Sequence, residues 1–201
     1  QHEIKDLPDE VLVFLLGSRY CDTDRLGDFA WATFGQTPPG WSRVQAICDF
    51  VQGHVVFSYA NADPLRTAYG GFVDRTGVCR DFAHLAIASM RSIGLAARYI
   101  SGYLLTDPPP GQARLIGADA SHAWLSVYCP VHGWVDLDPT NDVIAGIRHV
   151  TVAWGRDYRD VAPLRGVVVG PAARQALAVA VDVVRLDEPR HQLHQRRLTR
   201  A

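Results

Sequence analysis

The spacing of apolar residues changes period close to Gly94, and this change constrains the fold more than any other feature of the chain. Before it, apolar side chains recur every three to four residues. Val11, Leu12, Leu15 and Leu16, then Leu26, Phe29 and Ala30 after a break at Gly17, predict helix over residues 9–34, with Asp22 placed to cap the second piece. Residues 36–40 read as a loop. Val44, Ile47, Cys48 and Val51 share one face of a helix over 41–53, which puts Cys48 in the core. Residues 55–59 read as extended and 61–77 as mostly loop and short helix. A helix follows from about 78 to 93, with Phe82, Leu85, Ala86, Ser89, Met90 and Ile93 as its buried stripe and Gly94 as its stop.

Beyond Gly94 the period drops to two. Strands are predicted over 97–105, 122–129 and 134–138, antiparallel to one another, with a Pro- and Gly-rich loop at 107–119 and a tight turn at 130–133. Further strands are expected at 149–154, 166–169 and 177–184. Helices in the first half and sheet in the second predict an α+β fold.

At 201 residues, with 48% hydrophobic and 20% charged side chains, the chain can bury a full core. Residues 1–187 are expected to form one domain. Residues 188–201 hold Arg and His without apolar period and are expected to be a mobile tail. A net charge of −1 gives no electrostatic reason to bind nucleic acid or an anionic membrane surface. The apolar runs at 11–16 and 176–181 fall far short of the roughly 20 residues a membrane span needs. Cysteines 21, 48, 79 and 129 show no CxxC pairing, which argues against a zinc site and a disulfide framework and favours a reducing cytoplasm. The sequence opens on Gln1, which leaves open a preceding segment or a removed signal peptide. Nothing in it sets an oligomeric state.

A thiol is a useful nucleophile once ionised, and the free amides and dipole at a helix N-terminus favour that state. Cys79 opens the helix predicted from about residue 78, where its own N–H is a candidate oxyanion donor. A lone cysteine is as readily a small buried hydrophobe, and that reading is preferred for Cys21, Cys48 and Cys129. Downstream, His122, Trp124, Ser126 and Tyr128 share one strand face, and Trp134, Asp136 and Asp138 share one on the next strand. Parity allows either aspartate to reach His122. A hairpin centred near residues 130–131 prefers Asp138, although Asp138-Pro139-Thr140 also has the composition of a plain turn.

The segments Gly77-Val-Cys-Arg-Asp-Phe-Ala-His-Leu85, Ala97-Arg-Tyr-Ile-Ser-Gly-Tyr103, Ser121-His-Ala-Trp124 and Gly133-Trp-Val-Asp-Leu-Asp-Pro-Thr-Asn141 resemble core blocks of bacterial transglutaminase-like proteins, a branch of the papain-like cysteine peptidase fold. Gly155-Arg-Asp-Tyr-Arg-Asp-Val-Ala-Pro163 resembles a further block, so the likeness covers roughly residues 7–186. The resemblance implies Cys79 as nucleophile, His122 as base and Asp138 as the acid that orients it. It also implies a nucleophile-bearing helix packed on an antiparallel sheet. Members of this branch usually carry a β-rich segment ahead of the first helix, which this chain lacks.

The expected activity is thiol-dependent hydrolysis or acyl transfer on a peptide or isopeptide amide through a thioester, with hydrolysis favoured over transamidation; a non-catalytic binding domain is the rival. No cofactor is expected, since no acidic cluster suggests calcium and no metal-ligand spacing links His54, His84, His132 and His149, which read as solvent or packing residues. The glycines of Gly70-Gly71 and Gly102 form no phosphate loop. Structural roles are preferred for Arg80, Asp81, Trp124, Trp134, Tyr59 and Tyr158, and Asp136 is a candidate support for the site.

Overall fold

A helix buried on all sides must be covered on all sides, and α5 (Cys79–Ser92) is such a helix: every residue from Asp81 to Arg91 is buried. Helices α2 (Thr23–Phe34), α3 (Trp41–His54) and α4 (Ala68–Asp74) cover part of it, and a β-sheet covers the rest. Leu85, Ala86 and Met90 of α5 join Ala123, Leu125 and Val127 of the sheet in one core. Cys48 lies half-buried against that core. The computed structural model describes residues 3–106, 121–163 and 181–183. The loop at 107–119, the strand at 166–169, most of the strand at 177–184 and the tail at 188–201 lie outside the described residues.

The sheet has five strands in the order β6-β5-β4-β3-β7, all antiparallel. They are β3 (Ala97–Leu104), β4 (Ser121–Cys129), β5 (Gly133–Asp138), β6 (Val143–Ile144) and β7 (His149–Gly155). Because β6 borders β5 and β7 borders β3, residues 145–148 carry the chain from one edge of the sheet to the other. This brings the start of β7 to the sheet end where β4 begins and β5 finishes. Helices packed against an antiparallel sheet make the fold α+β, as the change of period predicts. Two short helices, α1 (Asp9–Leu12) and α6 (Tyr158–Val161), flank the whole.

Local chemistry accounts for the ends of α5. At its C-terminus Gly94 takes φ 77°, its N–H bonds the Arg91 carbonyl, and the Leu95 N–H bonds the Met90 carbonyl at 2.9 Å. These bonds form a Schellman stop, for which glycine's freedom at positive φ is needed. At its N-terminus the Asp81 carboxylate accepts the Val78 N–H at 2.9 Å. Gly77 leaves room for that carboxylate, since a Cβ there would stand 2.5 Å from Asp81 Oδ2. The strand pair β1 (Val56–Phe57) and β2 (Thr76–Gly77), parallel to each other, leads into the helix.

Asp22 departs from expectation. It precedes α2, but its side chain makes no bond to that helix. Instead it accepts the Thr67 hydroxyl and the Tyr69 N–H, each at 3.0 Å, and so caps α4 from across the fold. The helix expected over 9–34 is interrupted as predicted, with a 3-10 turn at Val13–Leu15 ending its first piece.

Candidate active site

Cys79 is the first residue of α5, so its N–H is among the amides that a helix leaves without an internal carbonyl. Buried Asp81, two residues on, lies within 3.4 Å of Arg66 and 3.5 Å of Arg80, which offset its charge. Arg80 also donates to the Asp63 carbonyl and stacks on Tyr158. Both residues following the thiol are thus engaged in holding the helix start.

His122 lies near the start of β4 and Asp138 at the end of β5. Their approach is decided by register. Ser126 pairs with Asp136 and Leu125 with Leu137, so Trp124 falls opposite Asp138 and His122 one pair further along. A side chain reaches a diagonal neighbour at that separation. Asp138 Oδ2 lies 2.7 Å from His122 Nε2. Asp136 is turned to other partners, accepting the Trp124 indole N–H at 3.1 Å and the Ser126 hydroxyl.

The His122 ring hydrogen-bonds Cys79 as well as Asp138. With Nε2 facing the carboxylate, Nδ1 is left for the thiol. Burial of the ring works against its charge, but the hydrogen bonds to Asp138 and Cys79 and the charges behind them outweigh it and push the His122 pKa up to about 9. Burial likewise raises Asp138, yet the bonds and charge of His122, with further bonds from Asn141 and His149, hold its carboxyl down at about 2.

Asp138 is enclosed by donors. Oδ1 accepts the N–H groups of Thr140 and Asn141 at 3.1 and 3.2 Å. Oδ2 accepts the Asn141 side-chain amide at 2.7 Å and lies 3.1 Å from His149 Nε2, in addition to His122. The turn reading of Asp138-Pro139-Thr140 therefore holds together with its approach to His122: one oxygen closes the turn while the other faces the ring. Trp124, fully buried, underlies the cluster, with its ring 6.0 Å from His122 and 5.1 Å from His149.

Cys79, His122 and Asp138 are brought together as the sequence predicts, and two neighbours escape sequence reasoning. His149 was expected to be a solvent or packing residue; the structure places it on the Asp138 carboxylate because the 145–148 crossing delivers the start of β7 there. Its distance from His122 in the chain carries no signal of this. Asn141 had one, as the residue closing the Asp138 turn. The other histidines lie elsewhere. His84 is buried between Tyr20 and Tyr99, where burial holds its pKa well below the usual range, and its Nε2 accepts the Tyr158 N–H at 3.2 Å. His54 bonds the Phe72 carbonyl, and His132 lies in the β4–β5 turn. Trp134 packs on Phe14 and Arg98 away from the cluster, while Tyr59 is exposed beside Phe57.

The other thiols contrast with Cys79. Burial pushes both Cys21 and Cys48 up to about 12, which makes them inert at neutral pH. Among the described residues, His122, Asp138 and His149 present ligand atoms within 4.8 Å of one another. No helix among the described residues is long and apolar enough to cross a membrane.

Comparison with known proteins bears on this geometry. Residues 30–139 match the family model of the transglutaminase-like superfamily. The chain is 54% identical to an uncharacterised protein of Mycobacterium tuberculosis over 114 residues, 55% of this chain and 36% of that protein. It is 32% identical over 95 residues to a protein-glutamine gamma-glutamyltransferase of Pseudomonas aeruginosa, covering 45% of this chain and 14% of that one. A crystal structure from Cytophaga hutchinsonii, named "a Putative Cysteine Protease", superposes with a TM-score of 0.71 at 32% identity, over 80% of this chain and 52% of that one. The chain spans about a third of the length of the mycobacterial relative, whose share is 36%.

Proposed function

Because the chain belongs to the transglutaminase-like superfamily, we propose that it is a thiol enzyme that cleaves peptide or isopeptide amides through a Cys79 thioester. The observation that carries this reading is one ring with two partners: His122 bonds Cys79 on one side and, at 2.7 Å, Asp138 on the other. Such an arrangement does the two things acyl transfer needs. The imidazole takes the thiol proton as Cys79 Sγ attacks the carbonyl carbon, and the carboxylate holds the ring and its positive charge. The Cys79 N–H is placed to donate to the oxyanion.

Collapse of the tetrahedral intermediate breaks the C–N bond, and the imidazolium gives its proton to the leaving amine. Water then attacks the thioester, His122 takes its proton, and the acid and free thiol are released. If an amine attacks instead, the product is a new amide, as the name of the Pseudomonas aeruginosa relative describes for that protein. Hydrolysis remains the favoured outcome, in line with the name of the more fully covered Cytophaga hutchinsonii structure.

The test is a panel of peptides and isopeptides offered with and without added primary amine, scored for ammonia release and product mass, with Cys79→Ala as control. Hydrolysis products that require Cys79 support the reading. Cross-linked or amine-substituted products in their place would support the transamidase, and products from neither would leave a binding domain as the better description.

A further inference from the structure

The search leads to His149, and the inference rests on the reading of Cys79, His122 and Asp138 above. His149 Nδ1 accepts the Gly146 N–H at 3.3 Å, which makes Nε2 the protonated nitrogen, and Nε2 then donates to Asp138 Oδ2 at 3.1 Å. The side chain is 7% exposed and packs edge-on against buried Trp124. Its backbone is held as well, by pairing with Leu104 and a 2.9 Å bond from its N–H to the Gly146 carbonyl. The ring therefore has few ways to move, and its only polar hydrogen is spent on the carboxylate oxygen that faces His122.

We propose that His149 is a positioning residue: it donates to Asp138 Oδ2 and so keeps that oxygen aimed at His122 Nε2. Asn141 alone would be a looser support, since its amide reaches the same oxygen from within the same turn and lies 3.3 Å from His122 Nε2. His149 comes from another strand and fixes the carboxylate against the frame of the sheet. Two imidazoles and a carboxylate also have the composition of a divalent-cation site. The hydrogen-bonded reading is preferred because Oδ2 already receives three donors.

The experiment uses iodoacetamide labelling of Cys79, followed by peptide mapping, because it requires no substrate. The wild-type protein is compared with His149→Leu, which removes the donor, and His149→Gln, which returns an amide N–H at the reach of Nε2. His149→Leu is expected to label roughly ten-fold more slowly, the rate equivalent of one hydrogen bond to a charged group, and His149→Gln to recover most of that loss. Circular dichroism and the slow labelling of Cys21 and Cys48 check that both variants are folded. Equal loss in the two variants, or no loss in either, overturns the proposal. A wild-type labelling rate that changes on adding zinc or EDTA overturns it in favour of a metal site. If wild-type Cys79 labels no faster than the other cysteines, the proposed function itself fails and this inference with it; fast wild-type labelling with an unaffected His149→Leu sinks only the inference.

Discussion

Asp138 has two oxygens and five donors around them, so its rotamer is determined by partners from its own turn and from two other strands. An amide at this position would have to present its NH₂ either to the turn N–H groups or to the donors around Oδ2, and it cannot balance an imidazolium. Asp138→Asn is accordingly expected to lower kcat/KM by about 10²-fold or more. The loss should stay below the roughly 10⁴-fold seen when the triad aspartate of a serine protease is so changed, because a cysteine site starts closer to its ion-paired state. Asp136→Asn removes only the acceptor of Trp124 and Ser126 and should cost less. A larger loss at 136 than at 138, measured on one substrate, would show that the wrong carboxylate has been assigned. Parity and hairpin position distinguish these two aspartates in the sequence because both sit on one continuous strand whose turn is short. The same reasoning fails for His149: its place depends on which edge of the sheet β7 joins, and no local pattern encodes strand order.

Strand β3 meets its neighbours most closely at Gly102, which pairs with His122 on one side and, across a β-bulge, with Thr151 on the other. A Cβ there would stand 2.1 Å from the Val150 carbonyl oxygen and 2.6 Å from the far end of the Trp124 ring. The first is backbone and cannot step aside cheaply, while the second is the ring beneath His122 and His149. Gly102→Ala is expected to destabilise the protein by about 1–3 kcal/mol, the usual range for an overpacked interior. It should also slow Cys79 labelling, although residue 102 touches no reacting group. A denaturation midpoint shifted at constant m-value, together with slower labelling, would bear this out; slower labelling alone would mean that β7 yields and the site absorbs the strain. At this scale the sequence is informative wherever a period persists. Helices α2, α3 and α5 and strands β3, β4, β5 and β7 follow from the 3.6- and 2-residue spacings, since each runs long enough to show one buried face. The two-residue strands β1, β2 and β6 are too short to carry a period, and Asp22 shows that a capping residue can spend its side chain on a helix 45 residues away.

For the molecule as a whole, the cluster joins α5 to β4, β5 and β7, so its protonation should register in global stability. His122 has its pKa raised to about 9 from an ordinary value near 6.5, so the stability it contributes is fully present below about 6.5 and is lost as pH rises through 9. Asp138 has its carboxyl lowered to about 2, so its contribution is present above the ordinary carboxylate value of about 4 and is lost as pH falls through 2. Both conditions are met together between about pH 4 and 6.5. The two shifts largely describe one shared interaction and do not add; on the order of 3 kcal/mol is an upper bound for the pair. Against a typical domain stability of about 5–15 kcal/mol, that is enough to measure. Thermal unfolding of the wild type and His122→Gln should therefore differ most from pH 4 to 6.5, with the difference shrinking steadily toward pH 9 as the wild-type ring loses its proton. Glutamine keeps a polar group between Cys79 and Asp138 but has no proton to lose, so the variant reports the background titration of the rest of the chain. If the difference grew between pH 6.5 and 9, the ring would be neutral in the folded protein at neutral pH, and the ion pair would have to be replaced by a neutral hydrogen-bonded chain from Asp138 through His122 to the thiol.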